Sequence, residues 1–273
     1  MDIDILIYSP TFEELNEIRK ILPNPRLDIL PTTTFPWPYD VGTMILGKEE
    51  YTIHVISPHV AGQRKAQTFM TKALKAWTPK YVILTGVAGG IQKVKIGDVL
   101  LPRKIWIFDR YKTTPNGQKP RPDSVDPTES LVLLAERFFT NGDWGKKISD
   151  KYFQHQSYQQ LGNCCYADGN IVSSVELLEK VLENSDGLSK YRDFDDKLYG
   201  IEQEAAGVGE ALKDTNISWV DIRVVMDLAD PDSRSGSKDI NKQQASKLAA
   251  DFSLGFIKFL LNQQINAQEP EDY

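Results

Sequence analysis

Residues 81–102 read YVILTGVAGGIQKVKIGDVLLP: an apolar run from Tyr81 to Leu84, the glycines Gly86, Gly89 and Gly90, then a return to apolar sequence through Ile96, Gly97 and Asp98. The run predicts a buried strand, the glycines a turn, and the return a second strand. Glycine has no Cβ, so backbone at such a turn can approach a ligand closely, and a small molecule can be seated there. A tight turn packed under a helix would use the same residues. The neighbouring segments therefore have to decide.

Upstream, Ile3 to Tyr8 reads as a strand running into a helix with Phe12, Leu15, Ile18 and Ile21 at helical spacing. Thr11 with Glu14 three residues on is a capping-box signature for its start. After a Pro-rich loop come two hairpin-like strands, 43–46 and 51–57, and a helix over 61–76. Downstream, the polar stretch DRYKTTPNGQKPRPDSVD (109–126) predicts a surface excursion that could serve as a lid. Helices are expected at 131–139, 175–184, 205–212 and 242–261, and strands at 164–173, 198–202 and 217–226. Such alternation predicts a three-layer α/β sandwich, a mixed and largely parallel twisted sheet with helices on both faces. A single domain is expected over 1–262, followed by a flexible tail, 263–273.

The chain has 273 residues, 41% of them hydrophobic, which is enough for a substantial core. A formal charge of −6 argues against a nucleic-acid partner, because phosphate backbones call for clustered Lys and Arg. The start, MDIDILIYSP, is too short and acidic for a signal peptide, and no apolar run reaches membrane-spanning length, so a cytoplasmic protein with no membrane partner is expected. Cys164 and Cys165 are adjacent and form no disulfide framework; with His54, His59 and His155 they supply no metal-ligand spacing. Neither metal nor organic cofactor is implied.

Three acids stand where chemistry would be done. Asp227 follows WVDIRVVM, an apolar strand, so its carboxyl should be partly desolvated and biased toward the proton-donating form. A turn or cap role in DLADPD is the plainer reading. Glu204, in YGIEQEAAG, opens a helix, where an ionised carboxylate is favoured and can accept hydrogen bonds from two sugar hydroxyls. Glu202 competes with it in the same motif. For Glu14 the capping box suffices without any function.

TGVAGG…IGD, NIVSS, IEQEAAG and VVMDLAD, in this order, resemble the purine nucleoside phosphorylase and methylthioadenosine nucleosidase superfamily over most of the chain, Ile3 to about Leu261. The resemblance implies that Asp227 protonates N7 of a purine while the ribose gains oxocarbenium character, and that Glu204 holds the ribose 2′ and 3′ hydroxyls. It implies that Glu14, with Glu13 as the fallback, positions the attacking water. Val87, Ala88 and Gly89 would line the sugar face, with Leu177 and Leu178 at the base edge and Gln203 and Met226 beside the two acids. Departures bear on the substrate: Gln203 stands for the usual Met, Met226 for Ser, Val87 for a frequent Ser, and Leu177 for a stacking aromatic. Leu84 occupies the position of the phosphorylases' phosphate-binding arginine, so the resemblance implies a nucleosidase using water rather than a phosphorylase. A sensor that binds a purine nucleoside or nucleotide without cleaving it is the alternative of another class. Arg64 and Lys65, at a helix start, raise the possibility of a 5′-phosphorylated substrate. A homo-oligomer, most simply a dimer, is implied by the family.

Overall fold

In the first strand, β1 (Asp2–Tyr8), Ile5 and Ile7 pack into one apolar layer while Leu6 and Tyr8 pack into another, as the two-residue period of a strand requires. A strand buried on both faces belongs at the centre of a sheet covered by helices on both sides. The computed structural model describes residues 1–29, 35–91, 94–107, 111–115, 117–121, 123–141, 166–167, 170–173, 195–228 and 238–268. The further strands are β2 (Arg26–Ile29), β3 (Pro38–Leu46), β4 (Glu49–Ile56), β5 (Thr78–Gly90), β6 (Val99–Leu100), β7 (Ile105–Ile107), β8 (Tyr111–Thr114), β9 (Gly117–Pro120), β10 (Asp123–Val125), β11 (Tyr166–Ala167), β12 (Asn170–Ser173), β13 (Leu198–Glu202) and β14 (Ser218–Leu228). The described helices are α1 (Phe12–Ile21), α2 (Gln63–Ala76), α3 (Glu129–Asn141), α4 (Ala205–Leu212) and α5 (Lys238–Gln268).

Twelve of the described strands form one sheet, in which β10-β7-β12-β13-β5-β1-β4-β3-β2 is one continuous path and β14 pairs with β5 and β6. The central pairs β4/β1, β1/β5 and β5/β14 are parallel; β13 lies antiparallel to β5, and β3/β4 is an antiparallel hairpin. One face is covered by α1, α3 and α5 through Leu15, Ile18, Val132, Leu248, Phe252 and Phe256. The other is covered by α2 and α4 through Ala66, Phe69, Met70, Ala206 and Val208. This is the expected three-layer arrangement with a mixed, largely parallel sheet. The two helices α2 and α4 approach so closely that a Cβ on Gly207 would lie 2.0 Å from the Gln63 carbonyl oxygen.

Three local expectations change. The glycines of TGVAGG do not make a turn: β5 continues through Gly90, held by β14 on one side and β13 on the other. Partner strands override the low strand preference of glycine, and the missing side chains are used for close packing instead. The excursion around residue 115 contains a two-stranded β8/β9 hairpin, and β10 returns to the main sheet against β7. Helix α5 runs on to Gln268, so residues 263–268 are helical rather than tail. The strand expected over 164–173 is seen as β11 and β12, whereas the helix expected over 175–184 lies outside the described residues.

Candidate active site

The parallel strands β1, β5 and β14 end on the same side of the sheet, and a cavity of about 200 Å³ lies there. Its lining includes Glu14, Val87, Ala88, Gly89, Glu202, Gln203, Glu204, Met226 and Lys242, with Pro10, Thr11, Ala61 and Ile201. The volume is below the roughly 300–1,000 Å³ of typical small-molecule pockets, and residues 174–194, which contain Leu177 and Leu178, lie outside the described residues.

Glu14 reaches the cavity from α1. Its Oε2 accepts the Thr11 N–H at 2.9 Å and the Thr11 hydroxyl at 2.6 Å, completing the capping box read from the sequence. Its Oε1 accepts the Val87 N–H from β5 at 2.8 Å. The cap therefore holds the carboxylate rather than exhausting it: one acid both starts α1 and is pinned at the end of β5. Glu13 instead faces an outer groove between α1 and α5, with its Oε2 3.7 Å from Lys242 Nζ.

Glu202 and Glu204 divide the two roles that the IEQEAAG motif offered. Glu202 Oε2 accepts the N–H groups of Glu204 and Ala205, both at 2.7 Å, and so satisfies the N-terminus of α4. Glu204 occupies the cap position yet makes no side-chain cap bond. Its Oε1 instead accepts the Gly62 N–H at 3.2 Å, and Oε2 lies 3.4 Å from Arg223 Nη1. Burial pushes the Glu204 carboxyl up to about 8; Arg223 draws it down, and Glu202 and Glu14 add to the rise. The sequence reading expected an ionised Glu204. Desolvation is the largest influence and biases the carboxyl toward its protonated form.

Asp227 stands beyond Met226 near the end of β14, half-buried and opposite Gly89 of β5. The β5/β14 register shifts between Val225 and Asp227, leaving Met226 as the extra residue of a bulge beside the cavity. Such bulges re-aim side chains at sheet ends. Asp227 thus neighbours the lining residues Met226 and Gly89 without forming part of the cavity wall.

Two residues absent from the sequence reading complete the site. Arg223 is 1% exposed and lies among Asp221, Glu202 and Glu204. Lys242, from α5, is the one cation in the described lining of the cavity. Arg64 and Lys65, the cations raised from sequence, are exposed at the start of α2, and Arg64 faces a separate groove with Gln67 and Glu210. No helix among the described residues is long and apolar enough to cross a membrane.

A sequence model described as the phosphorylase superfamily matches residues 4–261. A 5′-methylthioadenosine/S-adenosylhomocysteine nucleosidase of Bacillus cereus is 26% identical over 210 residues, covering 74% of this chain and 78% of that protein. Among solved structures, the corresponding nucleosidase of Streptococcus pyogenes, in complex with 5-methylthiotubericidin, superposes with a TM-score of 0.69 at 17% identity, covering 95% of this chain and 98% of that one. The Neisseria meningitidis nucleosidase bound to methylthio-immucillin-A gives 0.65 at 19% identity, over 93% of this chain and 99% of that one. Futalosine hydrolase of Helicobacter pylori gives 0.66 at 17% identity, over 94% and 98%.

Proposed function

Because the chain belongs to the phosphorylase superfamily, we propose that it hydrolyses the N-glycosidic bond of a purine nucleoside or nucleotide and releases the free base. The observation that carries this reading is the convergence of Glu14, Glu204 and Met226 on one cavity at the carboxyl ends of β1, β5 and β14, with Asp227 next to Met226 and paired with the lining residue Gly89. Asp227 donates a proton to the departing purine, which makes the base a better leaving group as the ribose becomes cationic. Glu204 accepts hydrogen bonds from the ribose hydroxyls, and such donors favour its ionised form. Glu14, fixed by Thr11 and Val87, orients the attacking water. Gln203, Val87, Ala88, Gly89 and Met226 shape the sugar side, and Leu177 and Leu178 are assigned to the base edge.

Water is favoured over phosphate as nucleophile. The described lining carries three acidic side chains, Glu14, Glu202 and Glu204, against one lysine, and the nearby Arg223 is already engaged by Asp221 and Glu202. A phosphate dianion would meet more acids than cations there. The 5′ substituent is the open part of the substrate class: Arg64 and Lys65 lie apart from the cavity, whereas Lys242 lines it. Cytoplasmic location, expected from the sequence, and homo-oligomeric assembly, implied by the family resemblance, are part of the same proposal; sedimentation of the purified chain tests the assembly.

The test is chromatographic detection of free base after incubation with adenosine, methylthioadenosine, AMP, ATP and inosine, each with and without phosphate. Phosphate-independent release, lost in Asp227→Asn, is expected. Strict phosphate dependence would replace hydrolysis by phosphorolysis, and nucleoside binding without any product would favour a sensor.

A further inference from the structure

Two charges sit in the most buried part of β14. Asp221 is 0% exposed and Arg223 1% exposed, between Val220, Ile222 and Val224, which are themselves fully buried. As residues i and i+2 of a strand they share a face, and Arg223 Nε donates to Asp221 Oδ1 at 2.8 Å. Arg223 Nη2 donates to Glu202 Oε2 at 2.7 Å. With Nε and Nη2 each held by a carboxylate, the guanidinium plane is fixed. Nη1 is left facing the Val87 carbonyl at 3.3 Å and Glu204 Oε2 at 3.4 Å. It also lies beside Glu14: a Cβ built on Gly86 would be 2.5 Å from Glu14 Oε1 and 3.0 Å from Arg223 Nη1.

We propose that Asp221 is a positioning residue for the reaction, which from behind the cavity fixes the guanidinium of Arg223 between Glu14 and Glu204. The proposal rests on the nucleosidase reading of this same site. A buried ion cluster is poor evidence of stability, since apolar residues of similar volume often serve as well or better. Flanked along β14 by the buried Val220 and Ile222, Asp221 is better explained by what it does to Arg223 than by packing. Asp221 also sets how much of the guanidinium charge Glu204 meets. The ionisable groups facing this cluster are Tyr8 from β1, Glu14 from α1, Glu202 from β13, Glu204 from the turn after it, and Arg223 on the same strand. Three carboxylates share one cation, and burial raises both Asp221 and Glu204. With the Asp221 carboxylate removed, Arg223 is less neutralised, so Glu204 ionises at lower pH.

Asp221→Asn keeps an acceptor for Nε and removes the charge; Asp221→Leu removes both. In the base-release assay the acid limb of the kcat/KM profile of Asp221→Asn is expected to move down by about one pH unit. Asp221→Leu is expected to lose tenfold or more in kcat/KM at its optimum, with at least half of that loss, on a logarithmic scale, restored by Asn. An unmoved acid limb in Asp221→Asn, or Leu performing as well as Asn, overturns the proposal. If Asp221→Leu does not fold, the Asn profile decides alone. If the wild type releases no base, the nucleosidase reading fails separately. Asp221 is then judged by the ¹³C NMR titration of the Glu204 carboxyl, assigned by its loss in Glu204→Gln. A midpoint lowered in Asp221→Asn supports the positioning role, and an unchanged one overturns it.

Discussion

Gly86→Ala is the most direct test of how the site is assembled. The added methyl carbon would lie 2.5 Å from Glu14 Oε1, 3.0 Å from Arg223 Nη1 and 3.3 Å from Glu14 Cδ. Glu14 has little freedom to retreat, because its other oxygen is held by both the N–H and the hydroxyl of Thr11. The contact most exposed to loss is the 2.8 Å hydrogen bond from the Val87 N–H to Oε1. A hydrogen bond to a charged group contributes about 1.5–3 kcal/mol, and overpacking a tight site costs about 1–3 kcal/mol. Since relaxing the clash breaks the bond, these terms overlap, and about 2–4 kcal/mol is expected in all. For a chain of this size that lowers Tm by roughly 4–16 °C. If Glu14 orients the nucleophile, losing its anchor reduces kcat/KM by about 10- to 150-fold. Both quantities are read on one preparation, Tm by calorimetry and kcat/KM by base release. Gly47→Ala is the control: φ is +63° and nothing lies within 4 Å, so it strains the backbone and lowers Tm without touching the site. A Gly86→Ala protein with Tm within about 2 °C of wild type and kcat/KM within about twofold would show that Gly86 does not serve this close approach.

Asp227→Asn should lower kcat by about 10²- to 10⁴-fold, the range of general acid catalysis, with little change in Tm; full activity would remove Asp227 as the proton donor. For Glu204 the folded pKa, about 8, lies above its ordinary value, so the fold favours the protonated acid. That stabilisation is fully present below the unfolded pKa and is lost as pH rises through about 8. Glu204→Gln should therefore melt above wild type at pH 9, converge with it near pH 4.5 and fail to release base; an equal gap at both pH values contradicts the assignment. His54, buried against Tyr39 and Trp77, is pushed down to about 4 by desolvation, with Asp28 opposing and Arg26 adding to the shift. Its neutral form is favoured in the fold, so stability present above about pH 6.5 is lost as pH falls through 4. His54→Phe should flatten that part of the Tm profile, and an unchanged slope would count against it.

The order of elements was legible because it is written in local pattern. Thr11 and Glu14 announce the start of α1, and alternation or apolar runs announce β1, β5 and β14. Glu204 and Asp227 stood out as candidates because each follows a strand where a sheet of this kind gathers its ligands, whereas Glu14 gained a role only through the family resemblance. Gly86 was misread because its reason is not local. Nothing in TGVAGG says that a carboxylate from α1 and a guanidinium from β14 will press against it. Arg64 and Lys65 were raised because they lie on a helix N-terminus in sequence. Lys242 was missed because only the packing of α5 against α1 brings it to the cavity rim.

The charges within WVDIRVVMD are a different case, since the signal was in plain view. Asp221 and Arg223 interrupt the otherwise apolar run Trp219–Met226, and a strand at the centre of a covered sheet has no solvated side on which to place them. Isolated, each would be costly to bury. Two opposite charges two residues apart share a face and can satisfy one another in part. A guanidinium, however, offers five N–H donors, more than one aspartate can accept, so the pattern itself called for further acceptors from elsewhere in the chain. IEQEAAG, with two acids two residues apart at a helix start, was the place to look. Glu202 supplies the second bidding carboxylate at 2.7 Å, and Glu204 stands at 3.4 Å with its face to the cavity. The unmet hydrogen-bonding demand of a buried arginine thus connects two motifs that spacing alone left separate, and it does so at the acid assigned to the sugar.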